Sequence, residues 1–224
     1  MVKVLQMMKV ECYPVGLLQA NMFVVKDEEQ GLSFVVDPGA ESMTAEESLD
    51  RFGGERLQYI LLTHGHFDHI GNAAALKRKY PQAKIVIGKE DSAATRDDAL
   101  NLAIDFAGMA VVEHIDADLT VGDGDCLPFG EKTIQVLATP GHTRGGVCYL
   151  TEEKLFTGDT IMKGTTGRMD FPGGSVRDML QSVRRIAALE GNPALYCGHG
   201  AATTLEMERR NNIAMGSMSY DDLY

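Results

Sequence analysis

The sequence predicts an α/β fold in which two β-sheets pack face to face with helices on the outside. Three observations carry this expectation. Short apolar runs rich in Val and Ile recur between helix-forming segments in the first half, and the order of strands then helix returns in the second half. The 224 residues suffice for one large sandwich, and 44% hydrophobic with 24% charged residues allows a buried core beneath a hydrated surface. No low-complexity tract, internal repeat or Pro/Ser-rich linker divides the chain, so residues 1–224 are expected to form a single domain.

In the first half, Val2–Val10, Met22–Val25, Leu32–Val36, Leu57–Leu62 and Lys84–Ile87 are the expected strands. Thr44-x-x-Glu47 has the form of a capping box, and the helix it opens should stop at Gly53-Gly54. A second helix should follow Gly71 and end before Pro81, because the residue before a proline is steered away from helical geometry. Glu90–Ala110 is Ala-rich and reads as helical, while Gly122–Asp125 is too short for a calcium loop and reads as a hairpin turn. In the second half the strands are Ile134–Ala138, Val147–Leu150, Lys154–Phe156 and Ala194–Cys197. Ser175, three residues before Asp178, should cap a helix over Val176–Glu190, and a last helix should start near Thr203-x-x-Glu206.

Composition narrows the function. A formal net charge of −11, from 32 acidic against 21 basic residues, disfavours nucleic acid and anionic membrane as partners, since both need a positive surface. No run approaches the roughly 18 apolar residues of a membrane span. The N-terminus alternates apolar and polar residues instead of forming the apolar core of a signal peptide, so a cytoplasmic protein acting on a small molecule is expected. Cys12, Cys126, Cys148 and Cys197 are far apart with no C-x-x-C pair, which argues against disulfides or a thiolate zinc knuckle and for buried, unreactive thiols.

The chemistry concentrates after the strand Leu57–Leu62. There, Thr63-His64-Gly65-His66-Phe67-Asp68-His69 places four potential metal ligands on a strand-end loop. His64 and His66 can converge on one ion while Asp68 and His69 turn to another. Imidazole and carboxylate at this density suit zinc, iron or manganese. His142, Asp159 and His199 each follow a predicted strand and sit beside glycine, where function collects. Taken singly each is more commonly structural, but five of the six histidines occupy such loops, and only His114 is left to ordinary structure.

The H-x-H-x-D-H run, together with Val36-Asp37-Pro38-Gly39, His142, Asp159 and His199 in that order, resembles the metallo-β-lactamase superfamily. The resemblance implies an αββα sandwich with two divalent metals at one end of the sheets, zinc first among the candidates with iron or manganese as alternatives. It implies that His64, His66 and His142 bind the first metal, that Asp68, His69 and His199 bind the second, and that Asp159 bridges them. Asp37 matches a family aspartate that supports the ligands from behind, and Asp68 could also orient the attacking water. These two carboxylates are therefore the candidate catalytic residues, with Thr63 and Thr143 expected to hold their loops by hydrogen bonds. No Ser or Cys carries the local signature of a covalent nucleophile.

Phe156-Thr157-Gly158-Asp159-Thr160, the Gly-rich Lys163–Gly174 and Gly198-His199-Gly200 are most similar to the short glyoxalase-II-like group. That resemblance implies hydrolysis of a thioester such as an S-2-hydroxyacylglutathione. Lys163 and Arg168 are the candidate substrate contacts, and Lys163–Gly174, which lacks P-loop spacing, is expected to border the cleft. Long-form enzymes of the group add a basic C-terminal region that holds the glutathione carboxylates. Here only Arg209 and Arg210 lie in the short tail, on a helix face that reads as solvated. The rival reading is a mononuclear-iron oxidoreductase of the persulfide dioxygenase kind. A lactonase or β-lactamase would be another substrate class for the same chemistry.

Overall fold

The structure, a computed structural model, describes residues 8–39, 56–105 and 112–216. Two mixed six-stranded sheets face one another. The first runs in the order β1 (Lys9–Val15), β2 (Ala20–Asp27), β3 (Leu32–Val36), β4 (Arg56–Leu61), β5 (Lys84–Gly88), β6 (Leu119–Val121). Its first three strands pair antiparallel and the remainder parallel. The second runs β12 (Thr203–Thr204), β11 (Ala194–Cys197), β10 (Lys154–Gly158), β9 (Val147–Thr151), β8 (Lys132–Ala138), β7 (Cys126–Phe129), with only β10 and β11 parallel.

Strand alternation explains the layering. Because successive side chains point to opposite faces, β2 sends Phe23 and Val25 between the sheets and Met22 and Val24 towards the helices. Both faces are covered, so every residue of β2 is buried. Between the sheets Phe34 meets Phe129 and Phe156 edge-on, with ring centroids 5.0 and 5.9 Å apart. Outside the first sheet lie α1 (Phe67–Ile70) and α2 (Ala73–Lys79), burying Phe67, Ile70 and Leu76. Outside the second lie α3 (Val176–Ala187) and α4 (Leu205–Asn211), burying Met179, Val183, Ile186 and Leu205. The αββα sandwich is thus present. No helix among the described residues is long and apolar enough to cross a membrane.

Several sequence expectations shift. The first strand covers Lys9–Val15 instead of ending at Val10, and it tolerates Pro14 because β1 is an edge strand. Residues 2–7 and the expected helix after Thr44 lie outside the described residues. Within Glu90–Ala110, the described part is a 3-10 helix at Lys89–Arg96 followed by turns, not one α-helix. Gly122–Asp125 is not a hairpin turn: it carries the chain from β6 in one sheet to β7 in the other. The last helix is capped by Thr204, whose hydroxyl accepts from the Met207 N–H, after a two-residue strand at Thr203–Thr204. Ser175 caps α3 as expected, accepting from the Asp178 N–H. Cys148 and Cys197 are buried, but Cys12 and Cys126 are exposed because they fall on outward positions of edge strands.

Phe34 is fully buried at the centre of the inter-sheet layer. Phe34→Ala should cost about 3–5 kcal/mol, the range for removing a buried aromatic ring. Denaturant unfolding of both proteins measures it, and a loss below about 1 kcal/mol would show that the layer closes around the gap.

Candidate metal centre

Four strands of two sheets end at the same edge of the sandwich. His64 and His66 lie in the loop after β4, whereas Asp68 and His69, expected on the same loop, sit on α1, which follows it directly; the loops after β8, β10 and β11 carry His142, Asp159 and His199. Asn21 at the start of β2 ties the sheets together here: its side-chain amide donates to Cys197 O (2.9 Å) and Gly200 O (2.8 Å), either side of His199. Gly158 adopts a left-handed φ of +47° beside Thr63. A Cβ at Gly198 would overlap the Asp159 carboxylate, so glycine there lets two ligand loops close.

All seven candidate residues converge. Ligand atoms of His64, His66 and His142 lie within 4.8 Å of one another, as do those of Asp68, His69 and His199, and those of His64, His69 and Asp159. Asp159 lies between the halves: Oδ2 is 3.5 Å from His142 Nε2 and 3.8 Å from His199 Nε2, while Oδ1 is 3.7 Å from His69 Nε2. The outward nitrogens are anchored. His142 Nδ1–H donates to Arg168 O (2.6 Å) and His199 Nδ1–H to Leu18 O (3.2 Å), which turns each Nε2 lone pair inward. His142 Nε2 then stands 2.9 Å from His66 Nδ1. Buried His64 Nε2 and Asp159 Oδ1 have no hydrogen-bond partner among the described residues. Unpartnered buried polar atoms are costly, and inward lone pairs beside carboxylates are the donor set a divalent cation satisfies.

The electrostatics divide the rings of the cluster. Burial, reinforced by the neighbouring imidazoles, pushes His64 well below the usual histidine range, and burial with His142 takes His66 down to about 3. Both are therefore neutral, as ligation requires. Burial alone would raise Asp68, yet His69, His199 and His66 hold it well below the usual carboxylate range. Burial opposes protonation of His69, but the carboxylates of Asp68, Asp37 and Asp159 outweigh it and lift His69 to about 10. Without a cation His69 therefore carries a proton, and a metal bound at its Nε2 would have to displace that proton.

The metallo-beta-lactamase superfamily profile matches residues 15–199, most of the chain. The chain belongs to the metallo-β-lactamase superfamily. Among curated relatives, a hydroxyacylglutathione hydrolase, GloC of Haemophilus influenzae, is 29% identical over 95% of this chain and 100% of its own. A probable metallo-hydrolase of Bacillus subtilis, YqgX, is 31% identical over 95% and 100%. Of solved structures, the BLEG-1 B3 metallo-beta-lactamase superposes with a TM-score of 0.87 at 29% identity, covering 93% of this chain and 100% of that one. TTHA1623, solved in a di-iron-bound form, gives 0.79 at 30% identity over 91% and 99%. ETHE1 from Myxococcus xanthus gives 0.76 at 26% identity over 96% and 88%.

In this member of the superfamily, Asp37 lies behind the ligands and not in the cleft. It is 1% exposed, with a left-handed φ of +49°. Its Oδ2 takes His69 Nδ1–H (2.9 Å) and the Thr63 hydroxyl (2.7 Å), and its Oδ1 takes the Thr63 N–H (2.7 Å). A cleft of about 430 Å³ opens over the cluster, lined on one side by Leu18, Leu102, Met162 and Phe171. The Lys163–Gly174 loop borders it, as expected, through Thr166, Arg168 and Phe171. Arg168 pairs with Asp170 (2.6 and 2.7 Å) and lies over the Phe171 ring at 4.2 Å. Lys163 is exposed and does not line the cleft. The apolar wall was missed because its members come from distant loops; the only signal was Leu17-Leu18, two leucines in a turn. His114 is exposed and pairs with Asp98 at 2.9 Å, well away from the ligands in role.

Asp37→Ala removes the acceptor of three buried donors. It should lower the stability of chelator-treated protein by about 3–5 kcal/mol, the range for breaking a buried charged pair from one side. His114→Ala, at an exposed pair, should stay within about 0.5 kcal/mol. Thermal unfolding of the two variants that gave equal losses would show that Asp37 does not hold His69.

Proposed function

We propose that the chain is a dinuclear metal-dependent hydrolase that cleaves a thioester, with S-2-hydroxyacylglutathiones as the leading substrate class. The observation that carries the reading is the convergence of seven imidazole and carboxylate ligands, with His64 Nε2 and Asp159 Oδ1 buried and unpartnered among the described residues, at the floor of an open cleft. His64, His66 and His142 would hold one ion, Asp68, His69 and His199 the other, and Asp159 would bridge them. Zinc is the first candidate. Iron and manganese suit the same donors, and TTHA1623 supports iron by having been solved with two irons.

Bound divalent metals supply a Lewis acid for the developing oxyanion and an activated water near neutral pH. The protein's part is placement. Asp68 lines the cleft, with Oδ2 3.3 Å from His199 Nε2, and remains a carboxylate able to orient water or carry its proton. Leu18, Leu102, Met162 and Phe171 exclude bulk solvent from one side of the acyl group. The hydroxyacylglutathione hydrolase name of the H. influenzae relative supports the thioester. Among the described cleft residues Arg168 is the sole cation apart from imidazoles, and Asp170 engages it. Catalysis should therefore exceed glutathione recognition. A second reading, a mononuclear-iron oxidoreductase, is favoured by the likeness to M. xanthus ETHE1; it uses only part of the ligand set.

Purified protein should carry close to two transition-metal ions per chain, and Asp159→Ala should lose both metal and turnover. Elemental analysis that stays at one ion or fewer after reconstitution would remove the dinuclear reading. S-lactoylglutathione should be hydrolysed with a high KM that changes little when the glutamyl group is deleted, because each charge-assisted contact that is made is worth about 1.5–3 kcal/mol. A low KM that climbs steeply on deletion would reveal a glutathione pocket. Oxygen uptake on glutathione persulfide, without thioester turnover, would favour the iron reading.

A further inference from the structure

Asp91 stands outside the seven candidate ligands, on the 3-10 helix that follows β5, and is only 7% exposed. Among the described residues no positive side chain forms an ion pair with its carboxylate. Instead it accepts three hydrogen bonds from two loops: Gly65 N–H at 3.1 Å and the Thr143 hydroxyl at 2.7 Å on Oδ2, and Gly145 N–H at 2.7 Å on Oδ1. Gly65 lies between His64 and His66, and Thr143 follows His142 directly. The glycines around it permit close approach of the backbones. A Cβ at Gly145 would overlap the Asp91 backbone nitrogen, one at Gly65 would press on the Ala94 methyl, and one at Gly88 would overlap Gly145 O. The end of β5, the H-x-H loop and the His142 loop are therefore pressed around one buried carboxylate.

We propose that Asp91 is a positioning residue that clamps the His64–His66 loop to the His142 loop, so that these three imidazoles converge on a single cation. The clamp rests on the metal-centre reading above. It is selective by construction, since its three hydrogen bonds reach the loops of one ligand trio, whereas the Asp68, His69 and His199 trio is held by Asp37, Leu18 O and Asn21. Asp91 touches no reacting atom. A carboxylate is needed because two backbone N–H groups and a hydroxyl converge on it: the amide of an asparagine would turn an N–H₂ towards at least one of these donors.

Zinc titration of chelator-treated protein against a competing chelating dye tests this. The native chain should take up two ions. Asp91→Asn should retain one tight ion and bind the other about 10–100-fold more weakly, the usual effect of losing a partner behind the ligands. Thr143→Val, which removes one of the three bonds, should fall between. In a His199→Ala background Asp91→Asn should abolish the remaining tight ion, whereas in a His66→Ala background it should change nothing further. That contrast is one a general loss of folding cannot produce. Unfolding midpoints of the zinc-free proteins are measured alongside, and if Asp91→Asn does not fold, the Thr143→Val double variants carry the same comparison. Two undiminished ions in Asp91→Asn, or equal weakening of both, would overturn the clamp while leaving the metal centre standing. A native chain that takes up no zinc would overturn both.

Discussion

Everything at the working edge of this protein depends on keeping several inward-facing lone pairs and carboxylates together in a dry place. Left to themselves such groups separate, hydrate or protonate. Here they are held by their other ends. His142 is fixed through Arg168 O, His199 through Leu18 O and His69 through Asp37, so each ring presents a chosen nitrogen to the cluster. The strain of that arrangement shows at His64 Nε2 and Asp159 Oδ1, buried without a partner among the described residues. A divalent cation bound there would relieve it, so that metal binding and the stability of this edge would be two aspects of one constraint.

The sandwich exists, from this viewpoint, to make the constraint affordable. Ligands arrive from β4 in one sheet and from β8, β10 and β11 in the other, so no local motif could assemble them. The edge-to-face ring contacts of Phe34, Phe129 and Phe156 set the separation of the sheets, and Asn21 locks their ends in register across His199. Hydrophobic burial is non-directional; it supplies the stability, and the few buried polar contacts supply the alignment.

How much of this is legible in a sequence follows from the distance along the chain over which each feature acts. His64, His66, Asp68 and His69 are readable because their spacing is local, and β3, β4 and β8 because their apolar runs are interrupted only by Ser33, Gln58 and Gln135 in turn. The strands β6, β7 and β12 are not, being two to four residues long, with Pro128 interrupting β7. Glu90–Ala110 has helix-forming composition, but its tertiary contacts impose a 3-10 turn at Asp91, where the backbone must meet Gly145. The apolar wall of Leu18, Leu102, Met162 and Phe171 and the role of Asp91 are pure products of long-range packing. An aspartate in an Ala-rich segment gives no hint that it will sit between two ligand loops.

The same division separates chemistry from recognition. The candidate ligands come from the ends of strands in two sheets and from α1, whereas the cleft wall comes largely from turns: Leu18 between β1 and β2, Leu102 after the 3-10 helix, Phe171 in the Gly-rich loop. Loops accept substitution more readily than strand ends, so a chain of this superfamily can change what its cleft recognises while keeping the cluster beneath it. The cation available to an anionic substrate is itself compromised. Arg168 lies over Phe171 and is already paired with Asp170, so a carboxylate ligand must compete with an ion pair that is in place before it arrives. The pair is exposed, and exposed pairs are weak, contributing less than about 1 kcal/mol, so competition is feasible but yields little net affinity.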